Sequence, residues 1–260
     1  MQSHSQCLST ALQAVKAAEK ILGKYYQADL RTQLKSDKSP VTLADQEAEA
    51  AIKQTISSVF PSHSFLGEET SSSRVVQNSK EVEYLWIIDP IDCTKHYLRQ
   101  IPLFATELAL MKQGEIILGV SNAPQLNELV YAEKDSGAFL NDQSLEVSKI
   151  NKVEQAYLSY GGVGYFQNKN LLDNFLQLEK DTQGHRGIGD FWSYHLLAQG
   201  KLDIMIEAET KIWDIAAASI IVEEAGGKVT DLKGNSVNCQ TNSIAATNGL
   251  LHQKVIAYFN

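Results

Sequence analysis

Cysteine, proline, methionine and tryptophan are all scarce in this 260-residue chain, at 3, 5, 3 and 3 residues. Cys7, Cys93 and Cys239 are odd in number and far apart, which excludes a disulfide framework and makes a reducing cytoplasm the default compartment. Positive charge is also short, with 23 Lys and Arg against 31 Asp and Glu and a net charge of −8. That balance argues against a general nucleic-acid or anionic-membrane surface, which needs a basic footprint. It leaves an anionic small molecule open, because a bound cation inverts the sign of a local site. No stretch approaches the roughly 20 apolar residues of a membrane span, and no basic segment leads into an apolar one at the start. Internal repeats, low-complexity tracts and linkers are missing too. What remains is 43% hydrophobic and 21% charged, ordinary for a globular protein of one large domain or two intimate lobes.

Leu8, Leu12, Val15, Ala18, Ile21 and Leu22 recur at helical spacing and predict an amphipathic helix over 5–27. Residues 35–41 read as a polar loop. Thr42 and Asp45 then open a second helix, with Ala48, Ala51, Ile52, Ile56 and Val59 on one face and Pro61 as its stop. Phe65-Leu66 predicts a short strand ending in Gly67-Glu68-Glu69, and 70–83 an exposed, mobile, Ser-rich loop. Strands are expected at 85–88, 104–111, 116–121 and 128–132, with 112–115 as a hairpin turn. Beyond 153 the pattern predicts strands at 153–160, 202–206, 228–231 and 243–246. Helices are expected at 168–180, 191–199, 215–225 and the C-terminus. Helices alternating with sheets in two halves, with a break near 140–155, suggest a layered α/β arrangement.

The most informative stretch is 85–97, Leu-Trp-Ile-Ile-Asp-Pro-Ile-Asp-Cys-Thr-Lys-His-Tyr. An apolar run ends in Asp89, Pro90 is expected to stop the strand for want of an N–H, and Asp92 follows on the same turn. Two hard oxygen donors this close repel each other unless a cation lies between them. Thr94 adds a hydroxyl. The competing reading is a plain turn whose aspartate caps the next helix. Asp45 and Asp214 singly read as helix caps, and Glu68 and Glu69 as a solvated loop.

Taken in order, Gly67-Glu68-Glu69, Asp89-Pro-Ile-Asp92-x-Thr94 and Trp213-Asp214-Ile-Ala-Ala…Glu224-Ala-Gly-Gly227 resemble the signature motifs of the inositol-monophosphatase superfamily. The resemblance runs from about residue 5 to the C-terminus. It implies an αβαβα sandwich, one domain over 1–260, and two lobes. The metal and phosphate lobe would cover about 1–145 and the substrate-completing lobe about 146–260. It also implies a homodimer and Mg²⁺-dependent hydrolysis of a small phosphorylated metabolite. Glu68, Asp89, the Ile91 carbonyl, Asp92 and Asp214 would hold two or three Mg²⁺ ions, with Asp89 bridging two. Asp45 and Thr94 would orient and deprotonate the attacking water, with Glu68 completing the catalytic set. Backbone N–H groups of Cys93 and Thr94 would cradle the phosphate. Oxygen-only ligands suit Mg²⁺ rather than Zn²⁺, and no covalent phosphoenzyme is needed.

Two positions depart from the family pattern. Cys93 stands where glycine is usual, and His96 where asparagine is common. Glycine suits a close backbone approach to phosphate or a positive φ; cysteine keeps the N–H but adds a Cβ. Either the geometry tolerates it or phosphate binding is weakened. A redox-sensitive thiol at the phosphate site is a further concern. Cys93 and His96 also make a C-x-x-H half of a zinc site, but no second Cys/His pair lies at zinc-ligand spacing, which sets structural zinc aside.

Within the superfamily, Gly189-Asp190-Phe191-Trp192-Ser193-Tyr194, with the 92–99 motif and Phe104-Ala-Thr106, resembles the histidinol-phosphatase branch. L-Histidinol phosphate, an intermediate of histidine biosynthesis, carries an ammonium and an imidazole, which acidic groups beside the cluster would favour. Asp190 and Glu207 are the substrate candidates, with Asp190 alternatively a helix N-cap. Phe191, Trp192 and Tyr194 are expected in the core or a dimer contact. The alternatives are inositol 1-phosphate or another sugar phosphate, a 3′-phosphorylated nucleotide, and a catalytically impaired metal- or phosphate-binding relative.

Overall fold

The computed structural model describes residues 5–26, 32–34, 40–70 and 82–260. The loops expected at 35–41 and 70–83 fall largely outside these residues. Helices α1 (Gln6–Tyr26) and α2 (Leu43–Val59) pack on each other and form the first layer. Their apolar stripes, including Leu8, Val15, Leu22, Ile52 and Ile56, are buried against Trp86, Ile88, Leu108, Leu110 and Val120 of a large sheet.

That sheet runs in sequence order through β3 (Ser64–Gly67), β4 (Tyr84–Asp92), β5 (Ala105–Lys112), β6 (Glu115–Ala123), β7 (Glu128–Glu133), β8 (Ala138–Leu140) and β9 (Gln143–Ser144). Only the β3–β4 pair is parallel. A small antiparallel pair, β1 (Thr32–Leu34) and β2 (Pro40–Thr42), lies apart from it. Alternate residues of β4 go to opposite faces: Trp86 and Ile88 to the first helical layer, Leu85 and Ile87 to the next. Burial on both faces is why 85–88 reads as an unbroken apolar run.

The middle layer is α6 (Asp190–Ala198) and α7 (Ile212–Glu224). Helix α7 touches β4, β5, β6 and β7 on one side and β13 (Lys228–Thr230) and β14 (Ile244–Thr247) on the other. A helix clasped between two sheets must be apolar all round, which accounts for its Ile and Ala run. The second sheet has the order β11 (Gly184–Arg186), β10 (Tyr157–Tyr160), β12 (Ile204–Glu207), β14, β13. Its outer face is covered by α4 (Val163–Asn168), α5 (Leu172–Asp181) and α8 (His252–Ile256) through Phe166, Phe175, Leu178, Val255 and Ile256. The layers are therefore αβαβα, as expected. One cluster of buried side chains joins Leu66, Ile87 and Val130 to Tyr194, Ile215 and Ile244, so the core is continuous across the 140–155 break. Glu224, at the end of α7, accepts the backbone N–H groups of Asp135, Ser136 and Gly137 at 2.9, 3.1 and 2.8 Å and ties the motif's last segment to the β7–β8 turn.

Three expectations need correction. Pro90 does not end its strand: β4 continues to Asp92, with its pairing to β5 interrupted between Asp89 and Asp92. The missing N–H falls in that irregularity, and the Thr106 hydroxyl donates to the Pro90 carbonyl at 2.9 Å instead. The helix expected at 168–180 starts later, as α5 at Leu172, and a short helix not anticipated, α4, precedes it across Asn170 with φ 58°. Helix α7 starts at Ile212 rather than Ile215, so Asp214 lies in its first turn; it reaches back to accept the Lys211 N–H at 2.7 Å.

Candidate active site

The irregular end of β4 turns the chain so that Asp89, Ile91 and Asp92 face one cleft. The Ile91 N–H donates to Asp89 Oδ1 at 3.0 Å and fixes that turn. Glu68 arrives from the end of β3, where its N–H donates to the Ile88 carbonyl at 3.1 Å. A residue not singled out from the sequence sets this second turn. Buried Glu49 of α2 accepts the Glu69 N–H at 2.9 Å, the Thr70 hydroxyl, and Lys53 Nζ at 2.6 Å. Its carboxylate occupies the space a Cβ on Gly67 would need, 2.4 Å away, which explains the glycine before Glu68. Asp214 comes from α7 and also accepts the Thr210 hydroxyl at 3.1 Å.

Asp92 does cap a helix, but not the next one. Helix α3 (Thr94–Leu98) has Cys93 at its N-cap, without a side-chain hydrogen bond. Asp92 Oδ2 instead accepts the buried Phe191 N–H at 2.9 Å, capping α6 of the middle layer. Asp190 is not an N-cap: Gly189 holds that position, and the Asp190 carboxylate accepts the Cys93 thiol, Sγ to Oδ2 2.9 Å. Both partners have left-handed backbones, φ 68° at Cys93 and 51° at Asp190. The thiol is pushed upward by burial and by the Asp92 and Asp190 charges, which disfavours the reactive thiolate considered from the sequence. Thr94 Oγ1 donates to the Ile91 carbonyl at 3.0 Å. Asp45 is buried in the first turn of α2, close enough to Asp89 to repel its charge.

Glu207 ends β12 and accepts the Tyr194 hydroxyl at 3.1 Å. Gly161 makes room for it, since a Cβ there would meet Glu207 at 2.9 Å. Phe191 and Tyr194 are buried, as expected for core residues. The cleft, of about 230 Å³, is lined by Glu68, Asp89, Asp92, Asp190, Glu207, Glu209 and Asp214, with Ile91, Cys93, Thr94 and Thr210 between them. Gly161, Gly162, Tyr165 and Glu209 were not anticipated; the signal was the Gly-Gly pair just after β10.

The electrostatics are one-sided. Burial first, then Glu68, Asp92, Asp214 and Asp45, raise Asp89 well above the usual carboxylate range. Burial, Asp190, Asp214 and Glu107 raise Asp92 against the opposing pull of the Phe191 N–H. Burial pushes Asp214 up to about 7, with Glu68 and Asp190 adding to it, despite the Lys211 and Thr210 hydrogen bonds. Glu207 is pushed to about 8 by burial, Asp190 and Asp214. Among the described residues, no Lys, Arg or His lines the cleft. Carboxylates that repel one another and lack a cationic neighbour are the donor set a hard dication neutralises, so these residues fit Mg²⁺.

Behind the cleft lies a second feature missed from the sequence. A hydrogen-bonded chain links Glu107 to the Ser121 hydroxyl, Ser121 to His195 Nε2 at 2.6 Å, and His195 Nδ1 to Glu128 Oε2 at 2.8 Å. Glu107 is pushed to about 8, chiefly by burial. The larger cleft, about 370 Å³, lies elsewhere, beside Glu115, Lys134, Glu223 and Lys228. It mixes both signs of charge and holds no such cluster. No helix among the described residues is long and apolar enough to cross a membrane.

Comparison with known proteins agrees with this geometry. The model of the inositol monophosphatase family matches residues 3–260. A histidinol-phosphatase of Mycobacterium tuberculosis is 35% identical over 99% of this chain and 99% of its own length. A fructose-1,6-bisphosphatase/inositol-1-monophosphatase of Thermotoga maritima is 36% identical, covering 86% of this chain and 83% of its own. Among solved structures, an extragenic suppressor protein of Bartonella henselae superposes with a TM-score of 0.88 at 31% identity, covering 98% of this chain and 99% of its own.

Proposed function

The chain belongs to the inositol monophosphatase family, a metal-dependent phosphatase family generally using Mg²⁺, and from that premise we propose that it hydrolyses L-histidinol phosphate to L-histidinol and phosphate. Glu68, Asp89, the Ile91 carbonyl, Asp92 and Asp214 would hold Mg²⁺, two or three ions per site. Bound Mg²⁺ supplies positive charge that binds the ester's oxygens and makes a water acidic enough to attack at neutral pH. Asp45 and Thr94 would orient the attacking water and take its proton, with Glu68 completing the catalytic set. The Cys93 and Thr94 N–H groups hold the phosphate oxygens as charge develops.

The observation that carries the substrate is the lining of the cleft. Asp190, Glu207 and Glu209 extend the acidic surface beyond the metal ligands; no described cationic side chain lines the cleft itself, and Lys169 approaches Glu209 from outside it at 3.8 Å. Such a surface attracts an ammonium and an imidazolium, and it repels a second phosphate. The second phosphate of fructose 1,6-bisphosphate or of a 3′-phosphorylated nucleotide finds no partner there. Inositol 1-phosphate, which has no second phosphate, is the runner-up, in keeping with the name of the Thermotoga maritima relative. We also infer a homodimer, after the family pattern.

Phosphate release measured with Mg²⁺ across histidinol phosphate, inositol 1-phosphate, fructose 1,6-bisphosphate and adenosine 3′,5′-bisphosphate tests this. Histidinol phosphate should have the highest kcat/KM. A higher value for any of the others would refute the substrate, and no Mg²⁺-dependent release from any ester would leave only a binding relative.

A further inference from the structure

The half zinc motif at Cys93 and His96 finds a third member in the folded chain. Cys93 Sγ, a ring nitrogen of His96 and an Asp190 carboxylate oxygen lie within 4.8 Å of one another. Cys93 caps α3, and three positions on, His96 lies on the same helix face. Asp190 is delivered from α6 of the middle layer. Nδ1 of His96 lies 3.1 Å from the Leu103 carbonyl, to which it donates, leaving the lone pair on Nε2. That carbonyl tether is the arrangement metal-binding histidines generally have on their other nitrogen.

We infer that Cys93, His96 and Asp190 form a second cation site, selective for a soft divalent ion such as Zn²⁺, and that its occupation takes Asp190 away from the substrate, an effect that rests on the substrate role proposed above for Asp190. Hard Mg²⁺ goes to the all-oxygen cluster, whereas sulfur and imidazole favour Zn²⁺. On binding, a sulfur lone pair forms the metal–sulfur bond as the S–H proton passes to solvent; no electrons change hands. The Cys93–Asp190 hydrogen bond is replaced by two metal–ligand bonds. The carboxylate of Asp190 beside the sulfur adds negative charge that attracts the dication. Three protein ligands leave one tetrahedral position open, as in a reactive rather than a structural zinc site. Asp190 would then be withdrawn from the substrate, so Zn²⁺ inhibits.

The full-length protein, saturated with Mg²⁺, is titrated with Co²⁺ and then Zn²⁺, and bound metal is counted after dialysis. The site predicts one extra ion per chain and a thiolate-to-cobalt charge-transfer band that Zn²⁺ removes. His96→Asn should weaken binding and Zn²⁺ inhibition at least about 10-fold, the loss even an outer-shell partner commonly carries, while leaving Mg²⁺-supported activity unchanged. Cys93→Ser should abolish the band. Absence of the band in the wild type, or equal Zn²⁺ affinity in His96→Asn, would overturn the proposal. Equal affinity would place the ion in the carboxylate cluster. Metal counting and absorption need no substrate, so their outcome does not depend on the proposed reaction.

Discussion

Cys93 is where sequence, strain and chemistry meet in one residue. Of the nine non-glycine residues with positive φ among the described residues, it alone has neither an amide nor a carboxylate side chain. A left-handed residue with a Cβ costs about 1–2 kcal/mol, part of which glycine loses again through its freer unfolded chain. Cys93→Gly should therefore raise stability by about 0.5–1 kcal/mol, read as a higher urea midpoint; a lower one would show that the thiol bond to Asp190 outweighs the strain. The raised thiol also makes a prediction: at pH 7 Cys93 should react with iodoacetamide more slowly than free cysteine, and faster labelling would contradict its environment. For specificity, Asp190→Asn should lower kcat/KM on histidinol phosphate roughly 10- to 100-fold more than on p-nitrophenyl phosphate. Equal losses on both esters would remove Asp190 from substrate choice.

Among the elements, the turns carry the site, and they hang on residues far away in sequence. The β3 turn rests on Glu49, so Gly67→Ala pushes a buried, fully hydrogen-bonded carboxylate off its partners. The expected cost is about 1–3 kcal/mol, with a higher Mg²⁺ concentration needed for half-maximal activity. Unchanged stability and Mg²⁺ dependence would show that Glu49 can move freely. This pairing explains what could and could not be read from the chain. The Gly67-Glu68-Glu69, Asp-Pro-x-Asp and Trp-Asp-Ile-Ala-Ala motifs were legible because together, in order, they resemble the family's signatures; singly they read as a loop, a turn and a helix cap. Periodicity placed α1, α2, the β5–β7 meander and α7 within a few residues. Glu49 read only as another helical polar residue, since what it holds lies 20 residues on. The Asp92 cap on Phe191 spans 99 residues, and the Glu107–Ser121–His195–Glu128 chain draws on three strands and a helix. No local pattern records such pairings. Pro90 misled because a strand at an irregularity can lose one N–H and still go on.

Across the whole molecule, five layers bring acids from β3, β4, β12, α6 and α7 to one cleft, and the fold works against their repulsion. An acid raised on folding holds its proton more tightly in the folded chain than in the unfolded one. The contribution of these acids to metal-free stability is therefore fully present below the unfolded carboxylate value, about 4, and is lost as pH rises toward the folded values. For Asp214, Glu207 and Glu107 those values are about 7, 8 and 8, and Asp89 and Asp92 are raised in the same direction. His195 and His252, lowered by burial, act the other way, but only below the ordinary imidazole value of about 6.5. Mg²⁺ substitutes for the lost protons, adding roughly 2.7 kcal/mol at 100 times its Kd. The direct measurement is the thermal midpoint of the metal-free protein from pH 5 to 8.5, with and without Mg²⁺. The midpoint should fall with rising pH in the absence of metal, and Mg²⁺ should restore it by several degrees at pH 8 and by little at pH 5. A metal-free midpoint that is flat or rises with pH, and that Mg²⁺ leaves unmoved at pH 8, would contradict a carboxylate cluster built to hold a dication.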